Sequence, residues 1–293
     1  MSLAVIVHGG SGAVPPDAGV RQAACDRAAD TACGLLERGG RAIEAVECAV
    51  SLLEDEPALN AGTGSDLQAD GLIRMDVSVM TADGRAGAVA QVPGLRNPIR
   101  LARYILEQDA HVMLSGEEAL QLGLRVGLEP AVVATPAKVA YWQQHLDEAG
   151  RRLDYATMAA AWQRDHAARL GTVGCVALDC DGRLAAGTST GGTALCYPGR
   201  VGDTAVIGAG TYCTPLAGVS MTGLGERMLV LLSAKRFCDL VGDGLAIDRA
   251  ARLVLAEIAG LTTGVGGLIA LDGRGASIAM HDTPFLVTAE RRR

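Results

Sequence analysis

The chain has no apolar stretch near the roughly 20 residues a bilayer span requires, and the run at residues 3–7 is too short, and without the basic flank, for a secretion signal. A cytoplasmic, untargeted protein with no membrane partner is expected. Basic charge is also short, with 26 Lys and Arg against 33 Asp and Glu, a net charge of -7. That balance argues against a general nucleic-acid binder, which needs a basic field to displace counterions. Lysine occurs only at Lys138 and Lys235, which leaves few candidates for Schiff-base chemistry. The eight cysteines form no CxxC pair and no zinc spacing, so they read as reduced, mostly buried small residues. Aromatics number 2 Trp, 5 Tyr and 2 Phe, yet 49% of the residues are hydrophobic, which supplies ample core. Glycine is plentiful at 38 residues, roughly twice average usage, and predicts many tight turns and close backbone approaches.

Residues 3–7 are apolar and β-branched and run into His8-Gly9-Gly10-Ser11-Gly12, a buried strand feeding a glycine loop. Helical spacing follows over 18–38, stopped by Gly39-Gly40, and over 42–53. After the loop Asn60-Ala61-Gly62-Thr63-Gly64, alternation at 72–80 and 86–92 predicts a hairpin. Residues 98–149 read as helical, with Pro98 and Pro136 at first-turn positions. Residues 150–170 are polar and poorly periodic, an exposed connection with marginal helix at most. A second hairpin spans 172–178 and 183–188. Helices at 225–240 and 247–259 and strands at 266–271 and 277–281 follow, and Arg291-Arg292-Arg293 reads as a frayed tail. Hairpins with helices grouped between them predict an α+β domain with sheets inside and helices outside, not a doubly wound parallel sheet.

Four clusters of glycine and small hydroxyls crowd the second half: 171–174, 187–192, 198–203 and 221–226. Each alone is an ordinary turn. Together they hold what amide hydrolysis needs without His or Lys: a hydroxyl nucleophile, oxyanion donors and a charged pair for substrate. A threonine hydroxyl is a weak nucleophile until a base takes its proton, and the α-amine of an N-terminal threonine is such a base. Thr172 would have to become a new N-terminus. Arg200 and Asp203 read equally as an ion pair bracing a turn, and Glu226 as a cap on the helix beginning there. His8 and His281 read as ordinary hydrogen-bonded histidines.

In order along nearly the whole chain, HGGSGA at 8–13, LEDEPALNAGTGS at 53–65, MDVSVM at 75–80, AGAVAQVPGLRNPIRLAR at 86–103, GTVGCVALDCDGRLAAGTSTGG at 171–192, PGRVGD at 198–203, GAGTYC at 208–213 and TGLGE at 222–226 resemble the N-terminal nucleophile (Ntn) hydrolases of the plant-type L-asparaginase and isoaspartyl peptidase family. The resemblance implies a single Ntn-hydrolase domain over 1–293, a four-layer αββα sandwich of two antiparallel sheets flanked by helices. It implies a precursor that cuts itself between Gly171 and Thr172 into an α subunit, 1–171, ending in a flexible linker at about 150–171, and a β subunit, 172–293, paired as (αβ)2.

Thr172 is then the nucleophile toward L-asparagine or isoaspartyl dipeptides, Thr190 tunes it, and Thr222 with the Gly223 N–H forms the oxyanion hole. Arg200 holds the substrate α-carboxylate and Asp203 its α-ammonium, with Gly225 beside them and Asn60 near the nucleophile. The carbonyls of Leu53, Glu54, Glu56, Leu59, Ala61 and Thr63 resemble a sodium-binding loop, and no other cofactor is implied. Leu224 departs from the usual polar or small residue inside the TGxGE turn, which suggests a more apolar pocket wall and leaves a glycosylasparagine or β-peptide substrate, or a non-processing relative, as alternatives.

Overall fold

The computed structural model describes residues 3–130, 134–162, 171–260 and 266–293. Among these residues a seven-stranded sheet runs in the order β11 (Phe285–Arg292), β1 (Ala4–Gly12), β5 (Val173–Leu178), β6 (Leu184–Thr190), β2 (Arg74–Thr81), β3 (Ala86–Pro93), β4 (Met113–Ser115). A four-stranded sheet has the order β10 (Ser277–His281), β9 (Gly266–Asp272), β8 (Ala217–Gly223), β7 (Thr211–Cys213). All neighbours are antiparallel except β3 and β4, so the larger sheet is mixed at one edge, where the sequence predicted purely antiparallel sheets. Helices α1 (Ala18–Glu37), α2 (Ala42–Glu54) and α3 (Pro98–Gln108) cover the outer face of the large sheet, and α8 (Gly225–Leu231), α9 (Ser233–Gly242) and α10 (Ile247–Ala259) cover the small one. This is the αββα sandwich.

The layers follow from period-2 alternation in the strands. Val5 and Val7 of β1, Val77 and Val79 of β2, and Val173 and Cys175 of β5 face the outer helices. Ala4 and Ile6, Met80, and Val176 and Leu178 face the second sheet. The α1 stripe that meets the large sheet is Ala24, Cys25, Ala28, Ala29, Ala32, Cys33 and Leu36, nearly all small, so the helix lies close to the strands. A Cβ on Gly9 would stand 2.9 Å from both Leu59 and Val287 and 3.1 Å from Cys25 Sγ. Pro98 and Pro136 do open α3 and α5 (Pro136–His145).

Several elements differ from the expectation. The residues preceding 163 hold two short helices, α6 (Glu148–Arg151) and α7 (Tyr155–Trp162), where weak periodicity read as a connection. The remainder of the expected flexible linker, 163–170, lies outside the described residues. Strand β4 and helix α4 (Gly116–Arg125) interrupt the predicted helical stretch after α3. The helix expected over 225–240 is broken at Leu232, whose φ of +48° separates α8 from α9. The tail is not frayed, since 285–292 pair along β1 from Gly12 to Ala4, and Arg291 reaches Asp26 and Asp30 of α1 at 3.1 and 2.5 Å. Strand β8 was hidden by its Gly, Ser and Thr content, although Val219 and Met221 alternate with Ser220 and Thr222. No described helix is long and apolar enough to cross a membrane.

The inner face of the sandwich changes character along the strands. Its apolar half ends at Ile6, Val176, Ala186 and Met80, and the next inward positions are His8, Gly174, Thr188 and Ser78, then Thr172, Thr190 and Asp76. From the facing sheet, Ser220 and Thr222 continue the same polar end. A polar inter-sheet layer is tolerated only where its groups are paired or ligand-facing.

Candidate active site

Thr172 lies buried immediately before β5, two residues from Gly174, which pairs with His8. In the uncut chain its Oγ1 donates to the Gly171 carbonyl at 2.7 Å and lies 3.3 Å from Thr190 Oγ1. The same carbonyl oxygen accepts from Thr190 Oγ1 at 3.0 Å and from Asn60 Nδ2 at 3.1 Å. Asn60 Nδ2 also donates to Gly192 O at 2.7 Å, while its Oδ1 accepts from the Asp66 N–H at 2.9 Å, which fixes the amide orientation. The glycine loop after β1 packs against this junction: a Cβ on Gly10, which has a φ of +104°, would stand 3.3 Å from both Thr172 N and Thr172 O. The expected cleavage site and its two polar neighbours, Thr190 and Asn60, are therefore in one place.

Behind the nucleophile, His8 Nε2 is 2.9 Å from Ser220 Oγ, Ser220 Oγ is 2.7 Å from Thr188 Oγ1, Thr211 Oγ1 donates to Thr188 at 2.5 Å, and Ser78 Oγ lies 2.9 Å from Thr211 Oγ1. Burial drives the His8 pKa down to about 3, against the opposing Thr172 backbone, so the ring is neutral. A Cβ on Gly174 would stand 2.5 Å from His8 Nε2, so glycine is required at that position. As a hydrogen-bonded histidine His8 is ordinary. The hydroxyl chain that it starts was not foreseen, although hydroxyls two apart in both β6 and β8 carry its signal.

Thr222 and Gly223 end β8, with Gly223 opposite Gly266. Thr222 Oγ1 is buried and has no hydrogen-bond partner among the described residues, and neither has Asp203 Oδ2. An unmet buried polar atom costs about 1–3 kcal/mol, a cost that a bound ligand would relieve. Burial lifts the Asp203 carboxyl to a pKa of about 7, against the pull of Arg200. Two glycines make room for that carboxylate: a Cβ on Gly225 would stand 2.6 Å from Asp203 Oδ1, and one on Gly210 would stand 2.7 Å from Oδ2.

The bidentate partner of Arg200 is Glu226 and not Asp203: Arg200 Nε donates to Glu226 Oε1 at 2.7 Å and Nη2 to Oε2 at 2.9 Å. Burial pulls the Arg200 pKa down, but the Glu226 carboxylate outweighs it and keeps the guanidinium charged. Glu226 does sit in the first turn of α8, and its side chain reaches across to Arg200. The ion pair of Arg200 is thus made with Glu226, and the alternative reading of Arg200 and Asp203 as an ion pair bracing the turn does not hold. Leu224 is buried, in the apolar cluster with Met228, Ala234 and Phe237 between β8 and its helices. Asp76, buried opposite Thr190, accepts from the Gly202 N–H at 3.0 Å and ties the Arg200 loop to the large sheet. Burial raises its pKa.

The stretch 53–63 leaves the end of α2 and closes in a 3-10 turn at Gly62–Gly64. The Glu54 side chain is buried and accepts from Ser189 Oγ at 2.6 Å, one residue before Thr190, and burial lifts its pKa to about 8. Main-chain oxygens crowd here, since a Cβ on Gly62 would strike Glu54 O and one on Gly64 would strike Leu59 O and stand 2.6 Å from Pro57 O. No group of three His, Cys, Asp or Glu side chains fit for a metal occurs among the described residues, so an ion here would rely on carbonyls.

Comparison with known proteins shows the family. The asparaginase family profile matches residues 1–291. An isoaspartyl peptidase/L-asparaginase of Rattus norvegicus is 39% identical over 284 residues, 95% of this chain and 83% of its own. One of Homo sapiens is 37% identical over 283 residues, 95% and 90% respectively. A plant-type L-asparaginase of Pyrococcus abyssi is 38% identical over 286 residues, 93% of this chain and 91% of its own. With the expected residues gathered at the polar end of an αββα sandwich and the family match spanning nearly its full length, the chain belongs to the asparaginase family.

Proposed function

We propose that the protein is a self-processing amidohydrolase that releases ammonia from L-asparagine and cleaves the β-aspartyl bond of isoaspartyl dipeptides. The observation that carries this reading is the Gly171 carbonyl, which has the Thr172 hydroxyl at 2.7 Å and two donors, Asn60 and Thr190, on its oxygen. Attack of Thr172 Oγ1 on the Gly171 carbon, its proton passing to the departing Thr172 nitrogen, puts negative charge on that carbonyl oxygen, and the two donors stabilise it. Collapse breaks the Gly171–Thr172 amide and leaves an ester to Oγ1 with a free Thr172 amine. Water then hydrolyses the ester, releasing Gly171 as a carboxylate.

The free amine takes the proton of its own hydroxyl as Oγ1 attacks the substrate side-chain carbonyl. Thr222 Oγ1 and the Gly223 N–H receive the new oxyanion. The amine returns the proton to the leaving ammonia, or to the leaving α-amine of a dipeptide, and water cleaves the β-aspartyl ester. Asp203 holds the substrate ammonium and Arg200, itself braced by Glu226, holds the α-carboxylate. Gly225 keeps that corner open, and Thr190 hydrogen-bonds the nucleophile. We place a structural sodium ion in the 53–63 turn, where the carbonyls of Leu53, Glu54, Glu56, Leu59, Ala61 and Thr63 suit a hard cation; bound there, it would neutralise crowded carbonyl dipoles and stiffen the loop that carries Asn60.

Intact mass after incubation at neutral pH tests the reading. Two fragments meeting at Gly171 and Thr172, with ammonia released from asparagine, are expected, and Thr172→Ala abolishes both. A persistently single chain without hydrolysis would make the protein a non-processing relative. Faster turnover of glycosylasparagine than of asparagine or β-aspartyl-leucine would reassign the substrate.

A further inference from the structure

Strand β3 carries a bulge where it passes the site. Met75 pairs with Val92 and Val77 with Val89, so Asp76 alone faces Ala90 and Gln91. Gln91 adopts a φ of +52°, a region in which a non-glycine residue is uncommon. This backbone aims its N–H at Asp76 Oδ1, 2.8 Å away. The side-chain Nε2 donates to the Arg200 carbonyl at 2.6 Å and more distantly, at 3.4 Å, to the same Asp76 Oδ1.

The orientation of that amide is fixed from outside. Arg74 has only donors, and its Nη1 donates to Gln68 Oε1 at 2.5 Å. Gln68 must therefore turn its Nε2 to Gln91 Oε1, at 2.9 Å, which leaves the Gln91 NH2 for Arg200. Asp76 completes the grip with its other oxygen on the Gly202 N–H. The main chain is thus pinned on both sides of Val201, at the Arg200 carbonyl and the Gly202 amide, by two neighbours on paired strands. Asp76 is itself in register with Thr190. Without these two bonds, Arg200 would hang from a turn opened by Gly199 at a φ of +88°.

We propose that Gln91 is a positioning residue for substrate binding: its bulged backbone and oriented amide lock the main chain of Arg200 so that the guanidinium meets the substrate α-carboxylate. The inference rests on the reading of Arg200 given under the proposed function. Gln91 touches no reacting atom and has no bond to Gly171 or Thr172 in the uncut chain, so it acts on affinity and not on the chemical step.

Gln91→Gly separates the two roles of the residue, because glycine accepts the positive φ and keeps the short N–H bond to Asp76 while deleting the amide, with its bond to Arg200 and its longer contact to Asp76. Expected are complete self-cleavage, an unchanged melting temperature, a KM for L-asparagine and for β-aspartyl-leucine raised about tenfold, the scale of one lost hydrogen bond, and a kcat within about twofold. Gln91→Ala should show the same KM with a lower melting temperature, since alanine retains the strained backbone. An unchanged KM in folded, self-cleaved Gln91→Gly overturns the proposal, as does a fall in kcat at constant KM. If that variant does not fold, Gln68→Met, which frees the Gln91 amide to turn, must raise KM in the same direction, and a wild-type KM overturns the proposal. A wild-type protein that turns over neither substrate overturns the reading of the site and this inference together, whereas an active wild type with an indifferent Gln91 overturns only the latter.

Discussion

Burial lifts Asp203 to a pKa of about 7, so the ammonium contact proposed for it requires that this carboxyl has lost its proton. Substrate binding strengthens the ionised form, so kcat/KM should rise with pH through about 7 and fall below it. Asp203→Asn should lower activity and flatten that limb; a limb that persists in the variant belongs to the Thr172 amine, which titrates nearby. The same shift acts oppositely on stability. Between the ordinary carboxylate range and pH 7 the folded chain retains a proton that the unfolded chain has released, so this group's contribution falls as pH rises through that window. At this scale the sequence was informative where chemistry sits beside glycine, as at Thr172, Thr190, Arg200, Asp203 and Thr222. It was silent on Asp76 and Gln91, whose partners Gly202 and Arg200 lie 126 and 109 positions away, since nothing local marks a side chain that works at such range. Glu226 was visible but misjudged, because an acidic first-turn residue has a sufficient local explanation in the helix dipole.

Among the elements, the last strand shows how a weak pattern becomes firm structure. Only Val287 and Ala289 of β11 are buried, so alternation over 285–292 is faint in the sequence, yet the strand closes one edge of the large sheet against β1. Val287 also packs over Gly9, beside the loop that meets Thr172. Val287→Asp would bury an unpaired carboxylate there, and about 3 kcal/mol or more of stability should be lost in urea unfolding. A loss under about 1 kcal/mol would mean that the strand is dispensable. The long amphipathic helices and the hairpins were legible because their periods repeat several times. Strand β8 was not, since hydroxyls at Ser220 and Thr222 face inward where apolar residues are expected, and that exception is the site itself.

At the scale of the whole molecule, the expected cut divides the large sheet unevenly. Strands β1 to β4 precede Gly171, and β5, β6 and β11 follow it, yet β1 lies between β11 and β5 while β6 lies against β2. Each segment therefore completes the other's ladder, and the apolar clusters on both faces of the large sheet draw on both segments. The two fragments should co-elute as one particle after processing and separate only in denaturant; separation under native conditions would contradict the interleaved order. The four-stranded sheet and its helices all follow the expected cut, so Thr172 remains joined to Thr222 and Gly223, the oxyanion donors proposed above, through continuous chain.

The arm leading to the junction carries a further consequence. Trp142 on α5 donates its Nε1 to the Gln68 carbonyl at 3.0 Å, and Trp162 ends α7, nine residues before Gly171. These are the only two tryptophans in the sequence, so intrinsic emission excited at the red edge of the absorption band arises from this arm alone. The protein carries its own optical label for maturation: any repacking of α5 to α7 that accompanies the cut can be followed in real time, in unmodified material, against the unchanging signal of Thr172→Ala.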